Sequence, residues 1–484
     1  MGYIINKTIK TTIINYIGFV LGAVNMLLLQ PLIFDLSQIG EFRLILDKAY
    51  ILIPILIFSL NSLIIKFYFK FEQSDHDLSK FISLLITIPL FNIILGVAAY
   101  NIFNYHVDHV ALISLIIASN IFIQIIENLL IVKGDILLAS FLKNISLRIC
   151  TIISLGLVYF GFIDFEIFIL INSLIFIVHL FIIGFYYFNK FPMTFKFTFS
   201  FLNEPHFKEM MKYCIFLLLA SGTTAIVTRI DNVMIGSVLK TDSFVGVYTI
   251  ALSITAFIEL PRRPLNQLLA PIISKELYSN NLNKVEELYK KSSINLFIIT
   301  GFIYLLLVDN IDFIINIIPK NETLIDAKEV IYILGLTKLI DMTSGMNGEI
   351  IHYSKYYKIN TIIMPLFTIV IILCNSFLIP KYLILGAAYG TLFGFIFINI
   401  TRIIYVYLKY KIIPFSINHL KILGLFTLSF LVTYNYSLDN IYLNLISSVL
   451  VITTLFLVPI YVKKYSLELN TIINSIPKYL KLKK

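Results

Sequence analysis

The stretch FLLLASGTTAIVTRIDNVMIGSVLKTDSFVGVYTIALSITAFIELPRRPLNQLLAPI, residues 216–272, is two long apolar runs joined by a short polar turn, with charged residues set inside both. A helix needs about 20 predominantly apolar residues to cross a bilayer, so this reads as a pair of transmembrane helices. The pattern extends in both directions. Fourteen such runs follow one another from residues 11–33 to 441–462, among them 46–68, 145–161, 329–350, 359–379 and 384–407. The longest polar interruption, residues 188–212, is too short to hold a soluble domain. Composition agrees: of 484 residues 58% are apolar and 14% charged, against roughly 45–50% and about 25% in ordinary globular chains. A soluble enzyme is excluded, and the fold class is all-α and polytopic.

The net charge of +10 would suit a nucleic-acid partner if the basic residues formed a patch, but they sit between the apolar runs. With the N-terminus inside, 28 of the 38 Lys and Arg fall on the cytoplasmic side or its flanks. Arg43, Lys48, Lys240, Lys320, Lys328 and Lys381 fall outside, and Arg229, Arg262, Arg263 and Lys338 within spans. Cytoplasmic loops are enriched in Lys and Arg, so both termini are expected inside, with the tail Lys478, Lys481, Lys483 and Lys484 near anionic headgroups. Cys150, Cys214 and Cys374 each lie in an apolar run, which fits small buried residues and neither a disulfide frame nor a metal site.

LSQIGEF at 36–42 returns as TDSFVGVY at 241–248. Ser37, Gly40, Phe42 and Leu46 match Ser243, Gly246, Tyr248 and Leu252 at one offset of 206, which also pairs Asn25 with Asp231 and Asn61 with Gln267. Six spans per repeat gives parallel repeats about an axis along the membrane normal, a transporter architecture with its site between bundles. The expected organisation is an N-terminal six-helix bundle (1–190), a cytoplasmic linker (191–212), a C-terminal six-helix bundle (213–410), and two further helices with a basic tail (411–484).

Charged groups near mid-membrane cost about 2.5–3.5 kcal/mol each on insertion scales and mark functional positions. Arg229 and Asp231, two residues apart, lie on different helical faces, so an intrahelical pair between them is not expected. Glu259 sits near the centre of the eighth span with Arg262 and Arg263 one turn on. Pro261, Pro264 and Pro271 should kink that span. Lys338 and Asp341, at i, i+3, are placed to neutralise each other, with Glu349 and His352 nearer the inner end. Glu127, beside Gln124 and Asn128, is a further intramembrane acid. Gly386, Gly390 and Gly394 form a small-residue row for close helix packing. His106 and His109 flank Asp108 in an outer loop with no further local ligand, so no metal is assigned. With no GxxxxGK[ST] loop there is no visible ATP-hydrolysing motor, and transport would draw on a gradient or the membrane potential.

TRIDNVMIGSVLKTDSFVGVYTIALSI (228–254), APIISKELYSNNLNKVEELYKK (270–291), LSQIGEFRLIL and LIPKYLILGAAYGTLFG together resemble bacterial polysaccharide biosynthesis proteins, the Wzx-type O-antigen flippases of the multidrug/oligosaccharidyl-lipid/polysaccharide (MOP) exporter superfamily. The resemblance implies two six-span bundles around a central cavity in the bacterial inner membrane. It also implies translocation of an undecaprenyl-pyrophosphate-linked oligosaccharide to the periplasmic leaflet, with a polysaccharide polymerase and a chain-length regulator as possible partners. Asp231 matches the acid of the family's seventh span and Pro271 the proline closing the eighth. The lipid II flippase branch is less similar, because arginines expected in its first two spans are missing; Asn15, Asn25 and Gln30 stand there instead.

On this reading Arg229, Arg262, Arg263 and Lys338 meet an anionic headgroup, and Asn25, Asn61 and Gln267 contact sugar. Asp231, Glu259, Glu127 and Asp341 are the candidates for coupling a proton or sodium ion. No cofactor, enzymatic activity or nucleic-acid partner is expected. The alternative is a cation-coupled multidrug exporter of the same superfamily, in which those acids lead.

Overall fold

The computed structural model describes residues 2–72, 74–103, 109–192, 195–320, 324, 327–435, 440–471 and 474. Among them there is no strand, and twelve helices are long and apolar enough to cross a membrane. The main helices of the first half are α1 (Gly2–Val24), α2 (Leu36–Leu56), α3 (Leu60–Phe71), α4 (Asp75–Phe103), α5 (Val110–Val132), α6 (Leu147–Tyr159), α7 (Phe165–Lys190), α8 (Phe207–Val227), α9 (Ile230–Leu239) and α10 (Asp242–Thr255). Those of the second are α11 (Arg262–Tyr278), α12 (Leu282–Asp309), α13 (Lys328–Thr343), α14 (Asn347–Tyr353), α15 (Asn360–Tyr410), α16 (Ile417–Asn435) and α17 (Ile441–Ile452).

The difference between fourteen predicted spans and twelve helices has two local causes. The span predicted over 329–350 is split: α13 stops after 16 residues, the chain turns through Gly345 at φ 67°, and α14 carries it on. The spans 359–379 and 384–407 are joined in α15, which folds back at Leu383 (φ 53°, ψ −134°). The small-residue row makes that fold possible. A Cβ on Gly386, Gly390 or Gly394 would come within 3.0 Å of Leu378, Asn375 or Ile371, respectively, so the two arms touch only because glycine has no side chain.

The second span differs more consequentially. Asp35 caps α2 through the Gln38 N–H, and the Gln38 side chain accepts from the Asp35 N–H. This capping box starts the helix at Leu36, about ten residues before the apolar run predicted at 46–68. Arg43, expected in an outer loop, is therefore helical and pairs with Asp47 one turn on. The same span then breaks between α2 and α3, where Phe58 and Ser59 take left-handed φ of 55° and 56°. Pro54, four residues earlier, has no N–H to donate and crowds the preceding turn. The predicted kink of the eighth span appears as a 3-10 segment, Ala256–Glu259, before Pro261 caps α11.

Two compact units divide the chain at Thr249/Ile250, so the first takes in residues 213–249, which the sequence reading grouped with the second bundle. Within this unit α7 shows how such a helix sits in lipid. Val178, Phe181, Ile182 and Phe185 are exposed along one face, while Asn172, Ser173, Phe176, His179 and Ile183 are buried on the other. Polar groups turn inward, as they must where no water can satisfy them.

One contact of the first unit has the form that such a repeat would give. A Cβ on Gly40 would strike the Asp242 carbonyl, and a Cβ on Gly246 would strike the Leu36 carbonyl, both far inside 3.0 Å. Leu36 and Gly40 are the 206-offset partners of Asp242 and Gly246. The contact is thus reciprocal: each side presents the glycine that the other needs, the signature of a two-fold interface.

In the second unit a core of Ile273, Val285, Tyr289, Met346, Ile350, Ile351 and Val406 ties α11, α12, α14 and α15 together. Cys150, Cys214 and Cys374 are all free thiols.

Candidate functional site

Among the described residues, each unit carries a cluster of ion pairs inside its helices, and the sequence places different charges in the two. In the first unit the centre is Asp47, fully buried on α2. Arg43 Nε donates to its Oδ2 at 2.8 Å and Arg229 Nη1 to its Oδ1 at 2.5 Å, and Asn232 Nδ2 donates to Oδ2 at 2.7 Å. Arg229 stands where the seventh span breaks between α8 and α9, a break that frees the residue to turn toward α2. Its guanidinium also covers the Tyr50 ring, 4.4 Å from Cζ to centroid, a cation–π contact. The charges acting on Tyr50 are Arg229, Arg43, Arg148 and Asp47. Arg148, on α6, donates to the Asn144 carbonyl at 2.6 Å and fills the space beside Gly22 of α1. Two guanidiniums thus meet the Asp47 carboxylate.

In the second unit Arg262 Nη1 donates to Asp341 Oδ2 at 2.6 Å, with Glu349 Oε1 4.0 Å from its Nη2. Asn266 donates to Glu349 at 2.5 Å, Asn399 to Asp341 at 3.0 Å and Asn347 to Asn399 at 3.0 Å. Lys338 pairs with Glu259 at 2.9 Å. Arg402 lies against Gly348, contacts the Met364 sulfur at 3.4 Å, and is held electrostatically by Asp341 and Glu349 against Arg262. Arg262, Lys338 and Arg402 are matched by Glu259, Asp341 and Glu349, three cations to three anions.

The local pairing expected between Lys338 and Asp341 is therefore not formed. Each reaches across to the segment around the 3-10 break, because Glu259 and Arg262 bring opposite charge from another helix at hydrogen-bond distance. Arg229 and Asp231 do keep apart as expected: Asp231 accepts from the Tyr248 hydroxyl at 2.9 Å. Arg263 and Gln267 are exposed on α11. Asn25 is buried and accepts from Gln30 Nε2 at 3.3 Å. Asn61 donates to Gln124 at 2.9 Å, and Glu127 faces Lys143 at 3.5 Å. His352 stacks edge-on against Tyr353. His106 and Asp108 lie outside the described residues, as does the lysine-rich end of the tail. Asp47, Arg148 and Arg402 were missed. Their one signal in the sequence is the i, i+4 spacing of Arg43 and Asp47; Arg148 and Arg402 fall at the inner ends of predicted spans, where a basic residue reads as a topology signal.

The MatE family matches residues 217–378, from the seventh span into α15. In overall structure the chain is similar to the lipid II flippase MurJ in an inward closed conformation, with TM-score 0.68 and 16% identity over 93% of this chain and 97% of that one. It is also similar to an inward-facing multidrug resistance MATE family transporter of the MOP superfamily, with TM-score 0.64 and 13% identity over 81% and 94%. At these identities the likeness is one of fold, the polytopic all-α MOP fold. Together with the MatE match it points to a transporter or flippase and away from an enzyme. No curated protein matches the sequence.

Proposed function

We propose that the chain is a MOP-superfamily flippase that moves an undecaprenyl-pyrophosphate-linked oligosaccharide, the repeat unit of a surface polysaccharide, from the cytoplasmic to the periplasmic leaflet of a bacterial inner membrane. The observation that carries this reading is the pair of guanidiniums, Arg43 and Arg229, on the single carboxylate of Asp47. Asp47 neutralises one of Arg43 and Arg229, and the remaining positive charge suits a diphosphate, which accepts the planar fork of arginine bidentately. Lys338 and Arg262 have their charge answered inside the second unit, so their part is to hold its helices, and exposed Arg263 remains a second cationic contact. Asn25, Asn61 and Gln267 are assigned to the sugar.

In a cell negative inside, outward movement of an anionic headgroup is favoured by roughly 2.3 kcal/mol per charge per 100 mV. The membrane potential can drive this direction without ATP. Asp231, Glu259, Glu127 and Asp341 stay as the sites for any coupled proton or sodium ion.

Arg43→Ala and Arg229→Ala should each lower surface polysaccharide at least about tenfold, the scale set by one charge-assisted contact of about 1.5–3 kcal/mol. Membrane abundance should hold, and lipid-linked oligosaccharide should build up at the inner leaflet. Normal polymer in both variants overturns the reading. Ethidium efflux by the expressed protein, with no effect of its deletion on polymer, would favour the multidrug exporter instead.

A further inference from the structure

The first turns of three helices in the first unit bring together residues that no part of the transport reading uses. Glu41 lies in the second turn of α2, His109 is the residue before α5, and Glu166 is in the first turn of α7. One ligand atom from each, two carboxylate oxygens and a ring nitrogen, lies within 4.8 Å of the others. His109 Nε2 is 2.7 Å from Glu41 Oε1. On sequence His109 had no local ligand set; the missing groups come from 68 residues before it and from the start of α7.

We propose that Glu41, His109 and Glu166 form a binding site for a divalent first-row cation, with Zn2+ preferred over Mn2+. The donor set is one imidazole and two carboxylates, the open three-ligand arrangement in which water completes the coordination. A metal at 2.0–2.2 Å from each ligand needs donor separations of about 3.4 Å in tetrahedral geometry. The His109–Glu41 pair must therefore open slightly and Glu166, which is exposed, must swing in.

The charges ask for a cation. Among the described residues His109 is the one ionic partner of Glu41, and Glu166 has no ion pair or hydrogen bond with any of them. An imidazole that ligates a metal does so uncharged, so the charge of the two carboxylates is left for the cation. The helix starts that carry the ligands are fixed before any ion arrives. The Asp35 capping box sets α2, and Asp164 accepts from the Ile167 N–H at 2.8 Å to set α7. Beneath them Phe34 packs edge-on against Phe165 and Phe168, at 5.1 and 4.8 Å, and Phe42 against Phe168 at 5.1 Å. Binding therefore has little backbone ordering to offset, the condition for a useful site.

Zinc must release Glu41, or His109 and Glu166 together, if α2 is to move away from α5 and α7. Gly40, the neighbour of Glu41, makes the reciprocal contact with Asp242, so a bound ion would steady the turn that carries it. This proposal does not depend on what is transported.

The test is titration calorimetry with Zn2+, Mn2+ and Mg2+ on the purified full chain in detergent, freed of any affinity tag, with thermal unfolding read alongside. One equivalent of Zn2+ should bind with a Kd of about 10 μM or tighter, Mn2+ more weakly, and the unfolding temperature should rise with Zn2+. Glu166→Gln, an exposed change with no effect on folding, should weaken Zn2+ binding at least about tenfold, the scale of a lost metal contact. His109→Asn, in which Asn tolerates the left-handed backbone, should do the same. No Zn2+ binding by the unaltered protein, or binding unchanged in either variant, overturns the site.

Discussion

The two units solve the problem of charge inside an apolar fold in opposite ways. Around Asp47 two guanidiniums meet one carboxylate; around Asp341 the cations and acids balance, and a row of amides, Asn347 and Asn399 among them, satisfies what is left. A balanced buried network contributes little net stability against an apolar replacement, yet loses heavily when one member is removed. A cluster with surplus charge is costly to keep unless a ligand of opposite sign visits it. On the proposed reading the balanced ion pairs of the second unit hold its helices, and the cluster around Asp47 is the one set for a ligand.

The largest expected effect lies in the balanced cluster. Asp341→Ala leaves Arg262 without its carboxylate, and unfolding in detergent should show a loss of about 3–5 kcal/mol together with low membrane abundance. Replacing both partners, Arg262→Met with Asp341→Leu, should return most of it. A stable single variant would show that the network is not what holds this unit. Next comes Arg229→Lys. It keeps the charge but not the planar group that covers Tyr50 while donating to Asp47, so transport should fall severalfold while stability changes by less than about 1 kcal/mol. An equal fall in stability would erase the contrast between the units. The smallest effect is expected for Tyr50→Phe, which retains the ring under Arg229. Polymer yield should stay within about twofold, since the cation–π contact of about 0.5–1 kcal/mol is preserved. A large loss would place the Tyr50 hydroxyl in the site itself.

Much of the fold was readable because a bilayer makes hydropathy nearly sufficient. The small row Gly386, Gly390 and Gly394 announced a close contact, and three prolines a distorted eighth span. The site was harder to see. Periodicity reports neighbours along one helix, so Lys338 and Asp341 looked like a pair, whereas the stronger partners Arg262 and Glu259 come from another. The capping box at Asp35 moved the start of α2 outward and drew Arg43 and Asp47 into the helix, where hydropathy alone had left them at the margin. Arg148 and Arg402 were hidden for a related reason: a basic residue near the inner end of a span looks like a topology signal whether or not it turns inward.

The reciprocal meeting of Gly40 and Gly246 is what two copies of a six-span ancestor would make across a symmetric dimer, in which every charge on one copy must be tolerated twice. Joining the copies into one chain lifts that constraint. Arg43 and Asp47 correspond at the 206 offset to Thr249 and Ser253, and Arg229 to Ala23, so the positions related to this centre by the offset carry no charge. A symmetric dimer would carry two such centres and double their desolvation cost, whereas a single chain need carry only one.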